Sequence, residues 1–240
     1  MGRPLDAIEV MSEALPVFTE TGNRASETVA LSCLSAAHSD LGDHAGGTAL
    51  ARRAVALAQE LDNTRLEASA WFSMGAALER AADPAAADCY RRALRLADTV
   101  NDRYPQAYAL IGLATTTLRA GAPEEALAAI GKALDLALES RFQVLEASAL
   151  GVLARVRTRL GDPAAALAVA GQALELHRRT GHRPGEARSH MALGEAYAAL
   201  GNATRAFGHR RRALLLFRDM RIPGFREQAS GTGNGPAVRY

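Results

Sequence analysis

Six histidines, two cysteines and one arginine-rich run are the residues of this sequence best suited to chemistry, and their spacing argues against most of it. The histidines are His38, His44, His177, His182, His190 and His209. None forms the H-E-x-x-H pair that places two imidazoles on one helix face with a general base between them, and no pair has acids or thiols at ligand spacing. Cys33 and Cys89 make neither a C-x-x-C pair nor a nucleophile with a histidine beside it, and their use fits a reducing, cytoplasmic compartment. No G-x-S-x-G is present. The glycines of Gly231-Thr232-Gly233-Asn234-Gly235 follow no strand pattern and open no helix, so they are not a dinucleotide fingerprint. The expectation is a chain without catalysis, without a cofactor and without a metal.

The run His209-Arg210-Arg211-Arg212 raises the question of nucleic acid. It contains no aromatic ring on which a base could stack, and the net charge of +2 is too small for a nucleic-acid domain. It reads as a solvated helix face, and direct nucleic-acid binding is not expected. Lys132 is the one lysine among 28 basic residues, which with the abundant alanine reflects a GC-rich coding sequence more simply than it reflects chemistry. No basic segment followed by an apolar run opens the chain, and no apolar stretch nears the roughly 18 residues of a membrane span.

The elements that would have to position any site come from alanine. It is the best helix former, aromatics are only 5% of the chain, and β-branched residues are sparse, so the prior is all-helical. A repeat then organises the helices. An alanine followed by an apolar residue recurs at Ala14-Leu15, Ala54-Val55, Ala93-Leu94, Ala133-Leu134, Ala173-Leu174 and Ala213-Leu214, at intervals of 40, 39, 40, 40 and 40. A second column runs Leu34-Ser35, Met74-Gly75, Leu113-Ala114, Leu153-Ala154 and Leu193-Gly194. A third holds Ala7, Gly47, Ala126, Ala166 and Ala206. Such small residues let two antiparallel helices approach closely. Each period divides at a turn such as Gly161-Asp162-Pro163: glycine ends one helix in the left-handed conformation, aspartate caps the next, and proline takes its first position.

This pattern resembles the tetratricopeptide repeat, whose consensus of about 34 residues reads W-x2-L-G-x2-Y in the first helix. Trp71, Met74 and Gly75 fill the Trp, Leu and Gly columns; Leu193, Gly194 and Tyr197 fill Leu, Gly and Tyr. The period here is longer, like those of large bacterial transcription regulators, the antibiotic-regulatory (SARP-type) activators among them. The resemblance implies an all-α, right-handed superhelical solenoid of helix-turn-helix repeats spanning 2–222. It would comprise a half repeat at 2–23 and full repeats at 24–63, 64–102, 103–141, 142–182 and 183–222, with 224–240 as a disordered tail. It places Trp71, His38 and His190 in structural columns of the core.

Such a solenoid implies a protein–protein interaction scaffold or regulatory domain that takes a protein or peptide in its concave groove. Carrying the family's groove columns over by position gives, among others, the set Tyr108, Ile111, Thr115, Leu118 and Arg119. Across repeats the columns align Arg80, Arg119 and Arg159, with Arg155 and Arg188 nearby and Phe72, Tyr108 and Met191 for apolar contact. Arginine forks suit carboxylates, so an acidic partner would fit. Two other readings stand beside these. The arginines end their helices, where the dipole favours cations, and the aromatic residues and Met191 could pack within the solenoid. The column that holds ligand backbone with asparagine in long-period relatives reads Cys33, Ser73, Gly112, Val152 and Ala192, so a helical or folded partner is expected rather than an extended peptide. The alternative function is a small-molecule or peptide-sensing regulatory domain, with room for a pocket near Gly112 and Gly151.

The ends carry a further expectation. Residues 4–21 read as a second helix without its first, and Leu214-Leu215-Leu216-Phe217 lack a following helix. Solenoid ends need polar caps. Either the chain is part of a longer protein, or it hides its ends by homo-oligomerisation, or Met1 is the true start and the first helix merely frays.

Overall fold

A computed structural model describes residues 4–220, and among them it contains eleven α-helices and no strand. The proposed tail at 224–240 and the last two residues of the fifth repeat lie outside the described residues. The helices are α1 (Pro4–Glu20), α2 (Arg24–Asp40), α3 (His44–Glu60), α4 (Thr64–Arg80), α5 (Ala86–Thr99), α6 (Arg103–Arg119), α7 (Pro123–Glu139), α8 (Gln143–Arg159), α9 (Pro163–Arg179), α10 (Arg183–Ala199) and α11 (Ala203–Asp219). All have 17 residues except α5, which has 14 and follows a five-residue link; every other link has three residues.

The regularity is built by the links. In each, the second residue has a positive φ, and six of these ten residues are glycine, as at Gly42 (+84°) and Gly161 (+82°). In nine of the ten links the amide of the third residue then returns to a carbonyl of the finished helix: Asp43 N donates to His38 O and Asp162 N to Arg157 O, both at 2.9 Å. That is the Schellman arrangement, which satisfies carbonyls the helix leaves unpaired. In most links the same third residue caps the next helix with its side chain, as Asp43 accepts from Gly46 N and Asp162 from Ala165 N; Ala122 and Phe142 make no such bond. Around Pro84 the pattern shifts. Asp83 accepts from Ala85 N at 2.9 Å, and regular helix starts only at Ala86, which absorbs the residue this repeat lacks.

The small-residue columns sit where helices cross. Ala54, Ala93, Ala133, Ala173 and Ala213 all have 0% exposure, so a larger side chain there meets a neighbour at once. Each helix packs against its neighbours in the chain, of which α1 has only α2 and α11 only α10 among the described residues. The even-numbered helices α2, α4, α6, α8 and α10 also touch one another in succession. Three exposed ion pairs join the first residue of an even helix to the last residue of the odd helix after it. These are Arg24–Glu60 at 2.7 Å, Arg103–Glu139 at 3.2 Å and Arg183–Asp219 at 3.7 Å. Exposed pairs of this kind add little stability.

Candidate binding groove

A stack of helix pairs curves toward the layer whose helices lie closer together. Here that layer is the even-numbered one, so α2, α4, α6, α8 and α10 line the concave side.

The arginines of this layer divide into two groups. Arg80 Nε donates to Asp40 Oδ1 at 2.8 Å, and its Nη1 to Ala76 O at 3.2 Å. Burial works against the Arg80 charge, yet Asp40, Glu79 and Tyr90 together hold its pKa above the ordinary arginine value. Arg119 Nη1 donates to Glu79 O at 2.9 Å, with its Nη2 3.6 Å from Glu79 Oε1. Arg155 Nε donates to Glu195 Oε2 at 3.3 Å. The contacts of Arg80 with Asp40, of Arg119 with Glu79 and of Arg155 with Glu195 each span one repeat. Arg159 and Arg188 are exposed and make no ion pair among the described residues. The groove row therefore contains three arginines tied to neighbouring repeats and two open to a partner.

The aromatic residues form a chain that the sequence columns only half reveal. Ring centroids run from Tyr90 to Phe72 (6.0 Å), Phe72 to Tyr108 (4.6 Å), Tyr108 to Tyr104 (5.3 Å) and Tyr104 to Phe142 (5.3 Å). Phe72 and Tyr108 are half-buried and Tyr104 is exposed. Burial, then Tyr108, pushes the Tyr104 hydroxyl up to about 12. Tyr104 and Phe142 escaped the column reading; the four-residue spacing of Tyr104 and Tyr108 was the available signal. Ile111 and Leu118, carried over as groove positions, are buried in the core around α6 to α8 instead. Met191 is half-buried against a cluster of Ala187, Ala213, Phe217 and Met220.

Other expected positions resolve as follows. Trp71 packs against two core clusters while its Nε1 donates to Glu67 Oε1 at 3.0 Å. The space anticipated at Gly112 is filled by the Tyr90 ring, so a pocket there is closed. A shallow depression is lined by Tyr104, Phe142, Val144 and Leu145 among others. His38 is half-buried rather than enclosed in the core, its Nδ1 2.9 Å from Asp43 Oδ2. His190 is buried, with its Nδ1 2.9 Å from His209 Nδ1, so one ring donates and the other accepts. Burial, then His209, lowers His190 to about 4. His177 is buried beside His182 and is likewise lowered to about 4, by burial first. Among the described residues no three His, Cys, Asp or Glu side chains converge as metal ligands. No helix among them is long and apolar enough to cross a membrane.

Residues 145–219 match the Tetratricopeptide repeat family. No curated protein matches the chain by sequence. Solved structures match it closely in shape. BtubC (BKLC) from P. vanneervenii is 19% identical with a TM-score of 0.65, the match covering 99% of this chain and 95% of that one. RapI in its apo form is 11% identical with a TM-score of 0.66, covering 90% and 92%. A Rap protein complexed with competence and sporulation factor is 13% identical with a TM-score of 0.65, covering 82% of this chain and 65% of its own. At these identities the likeness is one of fold.

Proposed function

We propose that this chain, a tetratricopeptide-repeat solenoid, is a scaffold that holds a protein or peptide partner in the concave groove of its even-numbered helices. The observation that carries the reading is the pairing of two kinds of contact on one layer. A continuous run of rings crosses α4, α6 and the start of α8, and Arg159 and Arg188 stand open beyond it. Rings supply desolvated area and unpaired guanidinium groups accept carboxylates bidentately, so the partner is an acidic helix or folded surface with apolar residues between its charges. In a regulatory setting, occupancy of the groove would be the signal passed to another segment or protein. A Rap protein of similar fold has been solved complexed with competence and sporulation factor.

The test replaces the two open arginines together, Arg159→Glu with Arg188→Glu, and compares partner capture from source-cell extract with the wild type. Capture should be lost at an unchanged melting temperature, and wild-type capture should weaken as salt rises. Undiminished capture by the double variant would remove the groove as the binding surface.

A further inference from the structure

The two end helices of the described stack carry opposite charge. Helix α1 contains Asp6, Glu9, Glu13 and Glu20 and no lysine or arginine. Helix α11 contains Arg205, Arg210, Arg211, Arg212 and Arg218 against a single acid, Asp219. On each helix the exposed charge alternates with exposed apolar side chains along one stripe. On α1 the stripe is Val10, Glu13, Val17 and Glu20, at steps of three, four and three, with Val10 57% and Val17 54% exposed. On α11 it is Phe207, Arg211, Leu214 and Arg218, at steps of four, three and four, with Phe207 69% and Leu214 39% exposed. Steps of three and four return to the same side of a helix, so the set spans an arc of only about 80° on α1 and about 60° on α11. The apolar pairs, Val10 with Val17 and Phe207 with Leu214, are both seven residues apart, as are the charged pairs between them.

One copy cannot join these faces to each other. Among the described residues α1 packs on α2 and α11 on α10, at opposite ends of the stack. We infer that the α11 face of one copy docks on the α1 face of a second copy, with Phe207 and Leu214 against Val10 and Val17 and with Arg211 and Arg218 beside Glu13 and Glu20. The apolar residues supply contact area, and the charges select the pairing, because α1 against α1 and α11 against α11 each set like charges together. Arg218 lies 3.8 Å from Asp219, an exposed contact that adds little and does not compete with a carboxylate partner. Because two different surfaces meet, every added copy leaves one face of each kind free. The association therefore continues into rows or a closed ring and does not stop at a dimer. This contact is separate from the groove and leaves it open.

Sedimentation velocity on the full chain tests this, from about 1 to about 200 µM and at low and high salt, since mass action drives the association. The wild type should grow beyond a dimer with concentration and shrink with salt. The variants Glu13→Arg/Glu20→Arg and Arg211→Glu/Arg218→Glu, folded by circular dichroism, should each weaken association at least about tenfold, because both their end faces now carry one sign. An equimolar mixture of the two should associate again, since each variant then offers what the other needs. A wild type that stays monomeric throughout, a variant that associates like the wild type, or a mixture that stays monomeric overturns the inference.

Discussion

Arg80 and Asp40 stand forty residues apart in the chain and 2.8 Å apart in space. Arg119 reaches Glu79 and Arg155 reaches Glu195 over the same separation. A period that brings equivalent positions of successive repeats side by side turns a column of charges into contacts between repeats. For Arg80 and Arg119, the row that reads as a ligand-binding stripe in sequence is partly the mortar of the stack.

Reversing a charge inside that ladder should therefore harm stability before it harms binding. Arg80→Glu removes the partner of Asp40 and sets three acids together near Glu79 and the buried Tyr90, whose hydroxyl donates to Glu79 Oε2 at 2.7 Å. We expect a loss of about 1–3 kcal/mol in urea unfolding, the range for a partly buried charge left unpaired. Arg159→Glu, exposed and without an ion pair among the described residues, should stay within about 0.5 kcal/mol of wild type. Equal effects at the two positions would contradict the ladder.

The left-handed link positions give a prediction of opposite sign. Ala82 holds φ +58° and Arg141 +56° where six of the ten links use glycine. A side chain in that conformation costs about 1–2 kcal/mol, less what glycine's freedom in the unfolded chain gives back. Ala82→Gly should thus raise the melting temperature and Gly161→Ala lower it, each by the equivalent of about 1 kcal/mol. Differential scanning calorimetry decides it, and an Ala82→Gly variant that melts earlier would show that the link is held by something other than the turn.

Much of this fold was legible in the sequence because its signals are local and recur. The alanine columns mark helix crossings, and the glycine–aspartate links mark turns; both repeat often enough to rise above composition. The site was less legible because its contacts join repeats. Nothing along the chain near Arg80 points to Asp40, and Ile111 and Leu118 occupy groove columns yet turn into the core with α7 and α8. Gly112 looked like vacant space, since a glycine's surroundings cannot be read from its own position. The ring that fills it belongs to Tyr90, on the preceding helix.

That relation makes Gly112 a sensitive position. A Cβ there would fall within the van der Waals envelope of the Tyr90 ring, and one at Gly75 would lie 2.9 Å from the ring's edge. Tyr90 is 2% exposed and hydrogen-bonded to Glu79, so it has little room to give. Gly112→Ala should cost about 1–3 kcal/mol by overpacking. The same change in a Tyr90→Ala background should cost far less, since the ring is gone, and a double-mutant cycle reads the difference. Additive costs would mean that the ring is not the obstacle.

Acidification should loosen the C-terminal repeats through His177 and His190. Each is 2% exposed and takes a proton in the fold only near about 4, against an ordinary value of 6.5, chiefly because burial disfavours the charged ring. His182 stands beside His177, with Arg188 near enough to oppose its charge; His209, Arg178 and Arg212 oppose charge on His190, and Glu186 favours it. Between those two pH values the unfolded chain binds protons that the folded chain does not. Stability is therefore fully present above about pH 6.5 and falls toward pH 4, by up to about 1.4 kcal/mol per pH unit for each histidine. Urea midpoints at pH 7, 6 and 5 should decline in step, and His190→Gln should make the decline shallower, because the new side chain does not titrate. A midpoint that holds constant from pH 7 to 5 would mean that neither ring stays neutral because of the fold.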